Sequence, residues 1–299
     1  MQYANKLAKT AIEQIPNGVY EASEALDNDG FSSEPIKIVV SVRVSSDVIT
    51  VDFLETSSSV QGNLNCPISV TAAALYYVFF SLMPEETPAC AGSLKVIDIS
   101  APLGSLVNAQ LPSAVAAGNV ETSQRIVDVI LLALSQAIPQ KIPASSQGTM
   151  NNVAMGSKSW DYYETIAGGT GAHALGRGLD GKQSHMTNTL NTSIEIMEKN
   201  YPIIIKRYAL RTESGGKGLH HGGEGIIREY QILEPTKVTL LTERRILPPT
   251  GHCHGENGSL GINKLNGEII EGKVELELKK NDVLRIETPG GAGWGATSP

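Results

Sequence analysis

From residue 140 onward, glycine-rich turns cut the chain into short runs rich in β-branched and aromatic residues, and this punctuation constrains the fold more than any other feature. DYYETIA (161–167), IIIKRYAL (203–210), GIIREYQIL (225–233), KVTLLTE (237–243), KVELEL (273–278) and VLRIETP (283–289) have the length of strands and are too short for stable helices. The C-terminal half is therefore predicted to be mostly β.

The first 140 residues have a different texture. Residues 2–15 predict a short helix ended by Pro16-Asn17-Gly18, and IKIVVSVRV (36–44) with VITVDFLE (48–55) predicts a strand pair around Ser45-Ser46-Asp47. ISVTAAALYYVFFSLM (68–83), between Pro67 and Pro84, has the near-continuous apolarity of a buried helix, and LKVIDIS (94–100) reads as a further strand. A second buried helix follows over about 120–138, with apolar residues repeating at Val127, Ile130, Leu131, Leu134 and Ile138 before Pro139. The expected fold is mixed α and β, β-rich, with two prominent buried helices (about 68–83 and 120–138). Its expected organisation is an α/β portion over 1–140 and a β-rich, Gly-rich portion over 141–299 packed closely on the first, with no linker between them.

Bulk properties narrow the function classes. With 299 residues and 41% hydrophobic content the chain can bury a substantial core. A net charge of −7 and the lack of a Lys/Arg cluster argue against a nucleic-acid partner. The longest apolar run, LYYVFFSLM (75–83), is too short to cross a bilayer, and the N-terminal stretch lacks the apolar core of a signal peptide. Three widely spaced cysteines, an odd number, suggest reduced thiols, so the expected location is cytoplasmic.

The stretch AAGNVETSQRIVDVILLAL (116–134) sets a glycine, a polar cluster and an apolar helix in succession. Asn119 is expected to cap the helix and Glu121 to complement its positive end, with Thr122 and Arg125 beside them. These residues serve a well-capped core helix or a site wall. Gln147, Thr149, Asn151 and Asn152 form an amide and hydroxyl cluster able to orient a cyclic amide or a carboxylate, or to pair backbone groups of an irregular loop. The glycines of GGTGAHALGRG (168–178), Gly169 among them, let backbone N–H groups approach a substrate or form a plain turn. His185, in HMTNT, is a candidate proton shuttle if the fold brings it to Glu164, and otherwise a structural histidine.

Other chemistries lack their patterns. No glycine cluster ends in the Gly-Lys-Ser/Thr of a phosphate-binding loop, and the GxGxxA spacing at Gly169, Gly171 and Ala174 has no βαβ context. There is no GxSxG elbow and no Cys-His-Asn arrangement around Cys66 or Cys253. His252-Cys253-His254 has no acidic or Cys/His pair nearby to complete a fourfold set, so no metal site is assigned to this chain.

The wording of several stretches closely resembles the hydantoinase B family, which includes the second half of 5-oxoprolinase and the acetone carboxylase alpha subunit. The matching landmarks run from NGVYEASEALDNDG (17–30) and VDFLETSSSVQGNLNCP (51–67) through AAGNVETSQRIVD, PASSQGTMNN (143–152), YYETIAGGTGA (162–172) and HMTNTLNT (185–192). They continue in SGGKGLHHGGEGIIREY (214–230), LLTERR (240–245) and ETPGGAGWG (287–295). The resemblance implies the C-terminal part of a B-type subunit of an ATP-dependent cyclic amidase, of hydantoinase or 5-oxoprolinase type, in a hetero-oligomer. In that arrangement an A-type partner subunit, carrying ATP with Mg, phosphorylates a small cyclic amide, and the B subunit completes hydrolytic ring opening. Family members usually carry a preceding half with His and Asp residues that look like ligands of a divalent metal, a half missing here, and no cofactor is expected on this chain. The implied roles are catalytic for Glu121, His185 and Glu164, and substrate-binding for Asn119, Thr122, Arg125, Gln147, Asn151 and Gly169. A component of an acetone- or acetophenone-type carboxylase is the alternative within the family, and a non-catalytic assembly module is the alternative outside it.

Overall fold

In a computed structural model, which describes residues 1–297, the chain divides into two units, Met1–Ile142 and a second from Pro143 onward. The first begins with α1 (Gln2–Ile12), which buries Ala4, Ala8 and Ile12 at the four-residue spacing of one helix face. Strands β1 (Gly18–Leu26), β2 (Ile36–Ser45), β3 (Val48–Asp52) and, after two helices, β4 (Ile97–Ser100) form a sheet in that order. In β2 the alternation is strict, with Ile36, Ile38, Val40, Val42 and Val44 buried. A two-residue turn with Ser46 at a φ of 55° closes β2 on β3. Helices α2 (Ile68–Leu82) and α3 (Ala91–Leu94) supply the crossover that makes β3 and β4 a parallel pair. A wide π turn, Gly118–Thr122, leads into α4 (Ser123–Leu134), which packs on α2, β1 and β2.

The second unit contains β5 (Asn152–Gly156), β6 (Asp161–Thr165), α5 (Ile194–Asn200), β7 (Ile203–Arg211), β8 (Gly225–Ile232) and β9 (Thr236–Leu241). It is completed by β10 (Ile262–Leu265), β11 (Glu268–Ile270), β12 (Lys273–Leu278) and β13 (Val283–Glu287). These strands pair antiparallel in two sheets, ordered β11-β10-β13-β8-β7 and β12-β9-β5-β6. One apolar cluster, including Val153, Ile205, Tyr230, Val238, Leu240, Leu284 and Ile286, draws on both sheets, as in a sandwich. The fold is thus mixed α and β and β-rich, with buried helices at α2 and α4. The second helix is shorter than the 120–138 predicted: residues 135–138 finish in turns before Pro139.

The glycine clusters build more than turns. Segments 168–178, 214–223, 251–258 and 290–295 lie against one another and exchange backbone hydrogen bonds, among them Gly223 N to Thr170 O (2.9 Å), Gly291 N to Gly223 O (2.9 Å), Gly216 N to Gly291 O (2.8 Å) and Gly293 N to Glu256 O (2.9 Å). A Cβ on Gly169 would lie 1.8 Å from Gly223 O, one on Gly171 1.7 Å from Ala144 O, and one on Gly291 1.9 Å from Thr170 O. None of these three glycines has a positive φ. Space for a neighbouring backbone, not conformational freedom, requires them.

Candidate functional site

In the first unit the polar cluster of the 116–134 stretch is carried into the interior by the π turn, a bulge that accommodates an extra residue and re-aims its side chains. Glu121, Thr122, Gln124, Arg125 and Asp128 are all buried, whereas Asn119 is exposed. Asn119 does not act as the expected helix cap. Its residue already lies inside the turn, and its carbonyl accepts the Ser123 hydroxyl at 2.5 Å. Gly118 packs on the chain at Asn65, where a Cβ would come within 2.3 Å of the carbonyl oxygen, and Thr122 Oγ1 donates to Leu64 O at 2.5 Å.

Arg125 sits between two carboxylates, with Nη1 3.3 Å from Glu24 Oε2 on β1 and 3.6 Å from Asp128 Oδ2 one turn along α4. One guanidinium balances one carboxylate. Burial therefore pushes the Asp128 carboxyl up to about 8, with Arg125 opposing the shift and Glu24 adding to it. Because the folded chain keeps a proton that the unfolded chain releases above its ordinary value of 3.8, the contribution of Asp128 to stability is full below that pH and is lost as pH rises towards about 8. Asp128→Asn is expected to remove this slope, on the order of 6 kcal/mol at most across the window, in urea denaturation series. A slope that persists in the variant would contradict the assignment.

In the second unit the amide cluster is assembled around an arginine. Asn151 Nδ2 donates to Gln147 Oε1 and to Ile166 O, both at 2.9 Å, while Thr149 Oγ1 accepts the backbone N–H of Asn151 and of Glu243 at 3.1 Å. Arg245 Nη1 donates to Asn151 Oδ1 and to Glu243 O at 2.7 Å, and Nη2 to Asn263 Oδ1 at 2.8 Å. Beside it the buried Glu243 carboxylate is ion-paired with Lys273. Asn151 and Arg244 both adopt positive φ, 46° and 61°, a conformation that surrounding contacts must hold in place. The sequence brought Gln147 and Asn151 forward. It did not bring forward Arg245, Glu243, Lys273 or Asn263, although LLTERR marks two of them.

Glu164, on β6, forms the centre of a second buried network. Arg228 on β8 reaches both carboxylate oxygens, with Nε 3.1 Å from Oε1 and Nη2 3.2 Å from Oε2. Tyr230 OH donates to Oε1, Tyr162 OH to Oε2 at 3.0 Å, and Asn191 Nδ2 to Oε2 at 2.7 Å. The Arg228 guanidinium lies 4.4 Å from the Tyr208 ring centroid, a cation–π contact. Burial raises the Tyr230 hydroxyl well above its ordinary value, and the adjacent Glu164 charge adds to that. Five donor contacts converge on its two oxygens, between the two sheets to which β6 and β8 belong.

His185 lies in the irregular segment between β6 and α5, with a φ of 56°. Protein surrounds the ring although the residue keeps some solvent contact, and this burial pushes the imidazole down to about 4. Gln183, two residues earlier, joins the networks: its Oε1 lies 3.5 Å from Gln147 Nε2, and its own amide donates to Thr165 Oγ1 at 3.2 Å. Gly169 is engaged in packing. Its N–H donates to Pro289 O at 3.0 Å and its carbonyl accepts from Gln147 N at 2.9 Å, so both backbone groups are hydrogen-bonded within the fold.

The remaining features carry less. Burial pushes the Cys66 thiol up to about 11, the wrong direction for a nucleophile, and the three cysteines are free. Among the described residues no three His, Cys, Asp or Glu side chains are grouped to hold a metal, and no helix is long and apolar enough to cross a membrane. An open groove of about 980 Å³ at one end of the β12-β9-β5-β6 sheet, between Trp160, Glu234 and Leu278, is lined by none of the candidate catalytic or substrate-binding residues.

Comparison with known proteins accords with this architecture. The chain is 37% identical over 297 residues to 5-oxoprolinase 1 of Arabidopsis thaliana, covering 97% of this chain and 23% of the plant protein. Its fold is similar to that of the ATP-dependent caprolactamase from Pseudomonas jessenii, with a TM-score of 0.87 and 22% identity over 99% of this chain and 54% of that one. A nucleotide-free acetone carboxylase gives a TM-score of 0.83 and 14% identity over 98% of this chain and 47% of that one. The chain thus spans about a quarter of the plant relative and about half of each solved chain. Residues 1–297 match the family described as hydantoinase B/oxoprolinase, and the chain belongs to that family.

Proposed function

We propose that this chain is the C-terminal part of the B-type component of an ATP-dependent cyclic amidase, completing hydrolytic ring opening of a substrate phosphorylated by an A-type partner. Phosphorylation of a lactam oxygen turns a resonance-stabilised amide into an electrophile. What then remains is to place a water, accept its proton and stabilise developing charge. The observation that carries this reading is the match over residues 1–297, supported by the preorganised cluster of Gln147, Asn151 and Arg245. Fixed amide and guanidinium groups suit a substrate with a carbonyl and a leaving nitrogen. His185, neutral at pH 7 but made a weaker base by its burial, is the proposed proton acceptor, and Glu121, Thr122 and Arg125, buried in the first unit, are proposed separately as catalytic and substrate-binding groups. In this reading ATP with Mg belongs to the partner and a divalent metal to the preceding half of the B subunit.

The test is reconstitution with an A-type subunit and the preceding half, measuring ATP-dependent opening of 5-oxoproline, a hydantoin and caprolactam. Asn151→Ala, which frees the Gln147 and Arg245 side chains from the amide that fixes them, is expected to lower kcat by about 100-fold, the scale of a misplaced reacting geometry. Unchanged turnover in the Glu121→Ala/His185→Ala pair would overturn the site assignment. The fold shared with acetone carboxylase favours one competing reading, a carboxylase component. Incorporation of labelled bicarbonate into product, in place of hydrolysis, would establish that reading instead.

A further inference from the structure

We propose that Asn191 is a positioning residue, which fixes the segment carrying His185 to the buried Glu164–Arg228 pair. The inference rests on reading His185 as the proton acceptor, and it gives Glu164 a different part from the catalytic one suggested by its sequence. Residues 183–192 contain no helix or strand, and Asn188, Thr189 and Leu190 are exposed, Leu190 to 95%. Such a segment is expected to be mobile unless side chains tie it down. Here the ties run to β6 and β7. Thr189 Oγ1 lies 2.5 Å from Thr165 Oγ1, and Gln183 Nε2 donates to both hydroxyls at 3.2 Å.

Asn191 is gripped on both sides of its amide. Nδ2 donates to Glu164 Oε2 at 2.7 Å and to Thr165 O at 2.8 Å, and Oδ1 accepts from Tyr208 OH at 3.1 Å. The bond to Glu164 is charge-assisted, and its acceptor cannot drift because Arg228 and Tyr162 hold the same oxygen. Tyr208 is in turn stacked on Arg228, so donor and acceptor partners of Asn191 belong to one rigid cluster. At the other end of the segment His185 adopts a φ of 56°, a conformation disfavoured for a residue with a Cβ and maintained only where neighbours over-determine it. Gln183 carries the same arrangement to Gln147, at 3.5 Å, and so sets the segment against the amide cluster. In this arrangement the buried ion pair serves as the fixed point from which the His185 segment is hung.

The experiment is Asn191→Ala in the whole protein, with hydrogen exchange followed by residue. Exchange over 184–190 is expected to speed up by about tenfold or more, the loss of a hydrogen bond to a charged group, while β6 and β8 amides keep the wild-type rate. The His185 imidazole signal, identified by its loss in His185→Gln, is expected to titrate closer to its ordinary 6.5 than to about 4. Tyr208→Phe should produce the same changes in smaller measure. Wild-type exchange and wild-type titration in Asn191→Ala would overturn the proposal. These readouts need no substrate: a loosened segment with undiminished ring opening in the reconstituted enzyme upholds the anchor and rejects His185 as the proton acceptor.

Discussion

Arg228→Ala is expected to destabilise the second unit by about 3–5 kcal/mol, the usual loss when one partner of a buried ion pair is removed. The Arg228 side chain is fully buried and that of Glu164 is 4% exposed, so truncation leaves a carboxylate between the two sheets without its cation. Tyr230, Tyr162 and Asn191 still donate to it, but neutral donors do not replace a charge whose desolvation remains. The same reasoning gives a sharper companion result. Glu164→Leu combined with Arg228→Met and Tyr230→Phe should recover part of the loss, because the buried charges and the buried Tyr230 hydroxyl that donates to Glu164 are removed together. Denaturant unfolding of the two variants separates these outcomes. A loss under about 1 kcal/mol for Arg228→Ala, the scale of an exposed pair, would show that the pair is solvated.

Gly291→Ala is expected to be at least as damaging, for a reason unconnected with charge. The new Cβ would stand 1.9 Å from Thr170 O and 2.2 Å from Thr170 C, both backbone atoms in a segment hydrogen-bonded on either side. No side-chain rotation relieves such an overlap. Segments must part, and a loss above about 4 kcal/mol, or failure to accumulate folded protein, is the expected result. Gly267→Ala supplies the contrast. Its φ is 92°, yet nothing lies within 4 Å of the added methyl, so only the backbone penalty of about 1–2 kcal/mol applies. Equal losses in the two variants would remove the distinction between glycines needed for space and glycines needed for conformation.

These contrasts indicate which parts of the molecule are legible from its sequence. The helix at Ile68–Leu82 is bounded by Pro67 and Pro84, which act locally, and β2 declares itself by strict alternation. Strand β1 was not predicted because its faces are marked by alanines and glutamates, with Leu26 its one fully buried residue. Strand β5 opens on Asn152, in a stretch read as irregular, and becomes a strand because β6 and β9 flank it. Its pairing is tertiary, and propensity alone does not contain it. The same limit governs the polar networks. Gln147 and Asn151 are four residues apart and could be read as a cluster, whereas Arg245 is 94 residues from Asn151 and Arg228 is 64 from Glu164. Asn119 illustrates the converse error. Its residue type favours a helix cap, but the π turn begins one residue earlier and leaves its side chain exposed.

The glycine segments also set the order in which the second unit can be completed. Ala144 N bonds Ala172 O, Gly223 N bonds Thr170 O, Glu256 N bonds Lys217 O, and Ala292 N returns to Ser145 O. No two consecutive layers come from one local stretch, so closure entropy must be overcome before any of these contacts forms. Strands can pair as hairpins while the chain lengthens, but the layer built from residues 290–295 comes last. A chain ending before that layer would contain every strand described for the unit and still lack the piece that joins its first residues to its last.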